Sequence, residues 1–329
     1  MHFSVFTYPL IRVKHLRLCR MLYPHAMQSA FRHLFRSGFP VFFLLLCAFL
    51  FLQACVRERA GECMLYNLTV SAVDPQGNDV TASGAISTVD IYLFDENGFV
   101  RTIPRGSSTN FSFAASRDSK YTLIAWGNLK GDSLKLPQLT VGTSLENARI
   151  ELLQSTLRRN LPVTDLFYSR RELSAISTKS IQNDTVRLVM ERVVAGLSVD
   201  VLHAAEHFGV TNDKMQIVVR SIGSSLNFLA EPSEDEAGYA PSMSRVGDKD
   251  EWLAPLFRVF PTNANKQISI DLYRDDTLLF TITTDDDGNP LRTLPGKETY
   301  ITVDFRYARL RVSVNVVPWG SGSNQDVGL

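Results

Sequence analysis

Two stretches carry residue types and spacings that could do chemistry at a metal. His203-Ala204-Ala205-Glu206-His207 matches the inverted zinc-protease pattern H-x-x-E-H. On a helix, histidines at i and i+4 share a face and could hold Zn²⁺, with the glutamate as base. The elements that would have to position them point elsewhere. Strand-like alternation runs up to Leu202, and Gly209 would end any helix within about two turns. The other histidines, His2, His15, His25 and His33, all precede Cys55. The segment is expected to be an amphipathic loop with titrating histidines. Asp285-Asp286-Asp287-Gly288-Asn289 clusters carboxylates, but a calcium-binding EF-hand loop spaces them alternately and ends in Glu. A solvated hairpin turn is expected there. No phosphate-cradling glycine loop, G-x-S-x-G elbow or Cys–His pairing is present. No catalytic residue, cofactor or metal ligand is assigned, and the chain is not expected to be an enzyme.

The remaining chemistry belongs to one thiol. Residues 41–52 are almost wholly apolar, follow arginines without any carboxylate, and end in Leu52-Gln53-Ala54-Cys55. A basic segment, an apolar segment and a small residue before the break describe a secretory signal. A membrane-spanning helix needs about 20 apolar residues, and runs of about 10–14 are more often signal cores. Leu-x-Ala-Cys resembles the bacterial lipobox. There the Cys sulfur takes a diacylglyceryl group, and cleavage exposes its amine to a further acyl chain such as palmitate. Residues 1–54 are therefore read as a signal peptide, with translation starting at Met21 or Met27. Cys55 is read as an N-acyl, S-diacylglycerol cysteine. The rival reading is an uncleaved signal anchor with an incidental Cys. Several acyl chains give stable anchoring where one gives marginal binding.

The formal net charge of +0 hides an asymmetry. Residues 1–54 carry Arg12, Lys14, Arg17, Arg20, Arg32 and Arg36 and no acid, so the rest of the chain is acidic. That argues against nucleic acid as a partner, which calls for a basic face. Of four cysteines, Cys19 and Cys47 leave with the signal and Cys55 is lipidated. Cys63 alone remains, so no intrachain disulfide framework can form. It is either a buried structural thiol or an exposed one near the tether.

Residues 55–62 read as a lipidated tether. Val56 rather than Asp follows Cys55, so outer-membrane sorting is expected, although no acidic run linked to surface export follows. Beyond the tether the pattern is period two with turn chemistry between runs, which predicts strands. Strands are expected at 64–73, 88–94, 99–103, 109–114, 120–126, 148–153 and 185–190. A second series is expected at 192–202, 214–221, 256–261, 267–273, 277–284, 298–305 and 310–317. Turns are expected at 74–78, 95–98 and 285–290, where Pro, Asn and Gly supply the needed backbone angles. Residues 161–169 look extended, 170–180 loop-like, and 231–250 a mobile surface loop. The stretch at 120–127 loosely echoes 298–303. The expected architecture is all-β, a sandwich at 63–190 followed by another at 191–329. Trp126 and Trp319 are read as core or domain-end packing rather than sugar platforms.

Taken in order, several stretches resemble the anchor lipoproteins of Bacteroidetes-type fimbriae. They are residues 89–98 (VDIYLFDENG), 121–128 (YTLIAWGN), 165–168 (DLFY), 191–195 (ERVVA) and the closing Val-x-Val-x-x-Trp at 314–319. The resemblance covers most of the chain behind the lipobox. It implies two tandem transthyretin-like β-sandwich domains, an outer-membrane lipid anchor on a surface-facing protein, and a role tethering and terminating a fimbrial shaft during fimbria assembly and cell adhesion. The chain departs from the family in its long, Glu-rich second-domain loop.

Such a role needs a docking mode, and an edge strand offers unpaired N–H and C=O groups that another subunit's strand can complete. Fimbrial shaft subunits adding by strands, and outer-membrane lipid, are the expected partners. The alternatives are a fimbrial shaft or tip subunit, a surface glycan-binding lipoprotein, and a zinc hydrolase. A shaft subunit needs a long N-terminal segment whose processing frees a strand groove, and here only residues 56–62 intervene. A glycan binder would expose aromatic clusters. Asp132-Ser133-Leu134, Asp184-Thr185-Val186 and Asp276-Thr277-Leu278 fit a D-S/T-apolar O-glycosylation pattern of Bacteroidetes, making Ser133, Thr185 and Thr277 candidate positions. Composition alone would give roughly one such triplet.

Overall fold

The computed structural model describes residues 63–321 apart from 105–109, 117, 132, 154–159, 161, 176–183, 209–214, 248 and 307–309. The expected signal peptide, Cys55 and the expected tether lie outside the described residues. The chain is all-β. In its first half the strands are β1 (Cys63–Ala72), β2 (Val89–Asp95), β3 (Gly98–Ile103), β4 (Asn110–Ser116), β5 (Tyr121–Gly127), β6 (Leu134–Lys135), β7 (Arg149–Leu152), β8 (Phe167–Leu173) and β9 (Asp184–Arg192). In its second half they are β10 (Ala195–Leu202), β11 (Met215–Gly223), β12 (Ser225–Asn227), β13 (Glu236–Tyr239), β14 (Ser244–Arg245), β15 (Glu251–Val259), β16 (Ser269–Arg274), β17 (Thr277–Ile282), β18 (Lys297–Asp304) and β19 (Arg311–Pro318). Among the described residues one short α-helix, α1 (Ala204–Phe208), and one 3-10 turn at Thr81–Ser83 interrupt them.

The strands form four sheets. One has seven strands in the order β3-β2-β5-β8-β9-β1-β4, and one has five in the order β14-β15-β10-β18-β19. A four-stranded sheet runs β13-β11-β16-β17 and a three-stranded one β12-β7-β6. Each half opens on a strand with the same two neighbours in kind. β1 lies between antiparallel β4 and parallel β9, and β10 between antiparallel β15 and parallel β18. By this pattern β18 matches β9. β5, whose sequence echoes β18, has two antiparallel neighbours instead. The echo reflects strand chemistry, not topology.

Alternation explains how the layers close. Along β4, Phe111, Phe113 and Ala115 point inward and Asn110, Ser112 and Ala114 outward. The inward set joins Tyr66, Leu68, Leu123, Leu188 and their neighbours in a core confined to the first half. A second core is not confined in this way. It joins Tyr92, Phe94 and Trp126 of the first half to Val199, Ile217, Phe228 and Ile301 of the second. β7 pairs with β12 across the same boundary.

Three expectations need correction. β8 runs through Arg170 to Leu173, where a loop was expected. Its outer side chains, Arg170, Arg171 and Glu172, are polar because they face solvent, while Leu173 is buried. Residues 231–250 hold β13 and β14, and Ala237 and Tyr239 are buried. β15 starts at Glu251, well before residue 256, because Pro255 sits in a register break opposite β10 instead of ending the strand.

Candidate functional site

The H-x-x-E-H residues do not converge. His203 adopts φ of 58°, outside the helix, and its Nδ1 lies 2.8 Å from Asp304 Oδ1. His207 instead packs its ring against Phe208 and Phe305. α1 lasts five residues, and Asp250 caps it by accepting from the N–H groups of Ala205 and Glu206. Burial alone would raise the Asp304 carboxyl. Bonds from the Arg306 backbone and guanidinium, and from His203, hold it below the usual range instead. Among the described residues no group of three His, Cys, Asp or Glu side chains could hold a metal.

The Asp285 loop is a self-satisfied turn. Asp285 Oδ1 accepts from the N–H groups of Asp287 and Asn289, and Oδ2 from Asn289 Nδ2. Asp74-Pro75-Gln76-Gly77-Asn78 repeats the network bond for bond. In both, the Asn amide draws the aspartate below its ordinary value, aided by backbone N–H groups. Gly77 and Gly288 carry the positive φ that closes each loop. Asp286 reaches further. Its N–H donates to the Val312 carbonyl, and its Oδ1 accepts from the Val312 N–H at 2.7 Å.

Two of the places where the halves meet are not announced by the sequence. Arg192, the last residue of β9, makes a two-pronged bond to Asp165 at 2.6 and 2.9 Å. Its guanidinium lies over Phe167 on one hand and Trp319 on the other. Phe228, just after β12, contacts Tyr92, Phe94 and Trp126 of the first half edge-on or tilted. Its carbonyl accepts from the Tyr168 hydroxyl at 2.9 Å. Trp126 is fully buried in this group, and one face of Trp319 is covered by Arg192.

Of the candidate modified hydroxyls, Thr185 and Thr277 are exposed. Ser133 is buried, and its Oγ has no room for a sugar in the folded chain. Asp200, on β10, was not singled out by the sequence. Its Oδ1 is buried without a hydrogen-bond partner among the described residues. Desolvation, with a smaller push from Glu251, raises its carboxyl to about 6.

The model of the family described as fimbrillin-A associated anchor proteins Mfa1 and Mfa2 matches residues 60–324. The major fimbrium anchoring subunit FimB of Porphyromonas gingivalis is 26% identical over 286 residues, which is 80% of this chain and 89% of FimB. The solved fimbrial anchor protein Mfa2 from Porphyromonas gingivalis superposes with a TM-score of 0.57 at 14% identity, over 78% of this chain and 98% of that one. A Bacteroides thetaiotaomicron protein, solved as a candidate polysaccharide-binding protein, reaches 0.59 at 13% identity over 78% and 98%. At those identities the two structures speak for the fold alone.

Proposed function

This chain belongs to the family of fimbrillin-A associated anchor proteins, and we propose that it is an outer-membrane lipoprotein that anchors a fimbrial shaft and terminates it at the cell. The family is one of structural fimbrial subunits, not of enzymes. The observation that carries the reading is the order of parts. Cys55, which closes the lipobox-like Leu52-Gln53-Ala54-Cys55, is followed by residues 56–62 and then by β1, near the start of the family match at residue 60. The acyl chains on Cys55 hold the chain in the membrane. The sheets hold the shaft, through a strand of a shaft subunit completing an exposed edge. Thr185 and Thr277 are O-glycosylated on the outer surface.

The test is replacement of Cys55 by Ser in a fimbriated strain. The variant cannot take the lipid, so it should fold, leave the outer-membrane fraction and shed fimbriae into the medium. Deletion of the whole chain should leave shafts poorly retained. Cell-bound fimbriae unchanged in amount and length after deletion would reject the anchor role. Loss of surface glycan capture with fimbriae still attached would favour a glycan-binding lipoprotein.

A further inference from the structure

We propose that the outward edge of β4 is where a partner's strand adds to this chain, and that Arg101 guards that edge in the free protein. The inference rests on the anchor reading and names the docking site it requires.

Four sheets present eight edges, and natural proteins blunt edges by shortness, charge, proline, bulges or a covering loop. β14 and β6 are two residues long. β12 is covered by the chain at 231–233, since Ser225 N–H donates to Ser233 Oγ and Ser233 N–H to the Ser225 carbonyl. β13 is covered by Asn160, which both donates to and accepts from Gly238. β17 carries a register break opposite Leu272 and Tyr273. β3 carries one at Val100, and its Phe99 N–H and C=O are bonded to the loop at Gly142 and Thr143. β19 is closed at one end by Asp286 on Val312 and at the other by Pro318, which has no N–H.

Among the described residues β4 has none of these devices at Ser112 and Ala114 except the Arg101 side chain bonded to Ala114. It pairs with β1 over Cys63–Thr69 in unbroken register. Its sequence, NFSFAAS, holds no charge, glycine or proline. Antiparallel pairing turns alternate residues toward the neighbour, so if one outward carbonyl is known the rest follow. Arg101 Nη2 donates to the Ala114 carbonyl at 2.7 Å, which makes Ser112 and Ala114 the outward pair. Outside the ladder with β1, no backbone bond reaches the N–H or C=O of Ser112 or the N–H of Ala114 among the described residues. Arg101 is exposed, so its guanidinium can exchange the Ala114 carbonyl for water at little cost. An arriving strand would then meet small, uncharged outer side chains at Ser112 and Ala114. The fitting partner is an extended segment of a shaft subunit with small or polar residues on its outward side.

The test measures binding of the purified fimbrial shaft subunit to the full chain. Ser112→Pro removes an outward N–H and leaves the bonds to β1 intact, so binding should weaken by about tenfold or more. Arg101→Ala should tighten binding severalfold. Amide exchange at Ser112 and Ala114 should slow in the wild-type complex, a readout that stands if Ser112→Pro fails to fold. Binding that is unchanged in both variants, with no slowing at these amides, overturns the β4 assignment and leaves the anchor reading standing. No binding by the wild type removes the anchor reading, and this inference with it.

Discussion

The Arg192 guanidinium lies 4.5 Å from the centroid of the Trp319 ring, so the end of the last strand is packed onto the turn between the two halves. The same guanidinium is bonded to Asp165, and both charged side chains are largely buried. Removing one partner of such a pair strands the other. Arg192→Ala should lower the unfolding free energy by about 3 kcal/mol in urea titration. Combined with Asp165→Ala, the loss should fall well short of the sum, because the two act as one unit.

Phe228 fills a box made by Tyr92, Phe94 and Trp126. Phe228→Ala should cost about 3–5 kcal/mol, and Phe228→Leu much less. The two halves should then melt apart as separate transitions in calorimetry, where the wild type gives one. A single sharp transition in Phe228→Ala would show that the remaining links, among them the β7–β12 pairing and the Arg192–Trp319 stack, still couple the halves.

Asp200 sets a pH dependence whose sign follows from burial. Its folded carboxyl stands at about 6, above its ordinary value of 3.8, so the folded chain holds the proton more tightly. That favours folding in full below pH 4, and the benefit is lost as pH rises through 6. Asp200→Asn has no such loss. Between pH 4.5 and 7.5 the wild type should lose about 1–2 kcal/mol more stability than the variant, with partial exposure discounted. Parallel pH profiles would show that the carboxyl is solvated.

Exposure separates the candidate modified residues. Intact-mass measurement of native protein should show a mass above that of the lipidated chain. Thr277→Ala and Thr185→Ala should each lower it, and Ser133→Ala should leave it unchanged, since Ser133 is buried. A native mass equal to that of the lipidated polypeptide would remove the modification altogether.

Alternation and turn chemistry are local, and they made most strands readable. β2, β5, β18 and β19 fall within a residue or two of their expected bounds. What escaped was set by tertiary context. Pro255 lies in a strand only because a bulge absorbs it. Residues 231–250 look soluble, yet Tyr239 is buried by packing near Phe257. The H-x-x-E-H spacing is correct and its histidines still part company, because His203 bonds Asp304, a residue 101 positions away. The asymmetry between β4 and the other edges needed hydrogen-bond partners from distant loops, such as Asp286 for Val312. No local pattern encodes those.

β1 is not at the rim of its sheet but between β4 and β9. In the proposed anchor, a pull from the membrane would enter at Cys63 and travel along that strand's axis. Both ladders then resist sliding, with every rung sharing the load, whereas a rim hairpin peeled from its tip would give way rung by rung. With the shaft joined at β4 as proposed, tension would pass from the lipid to β1, to β4 and outward, over two adjacent ladders. The second half would lie off that path, joined to the first through the core that holds Trp126 and Phe228.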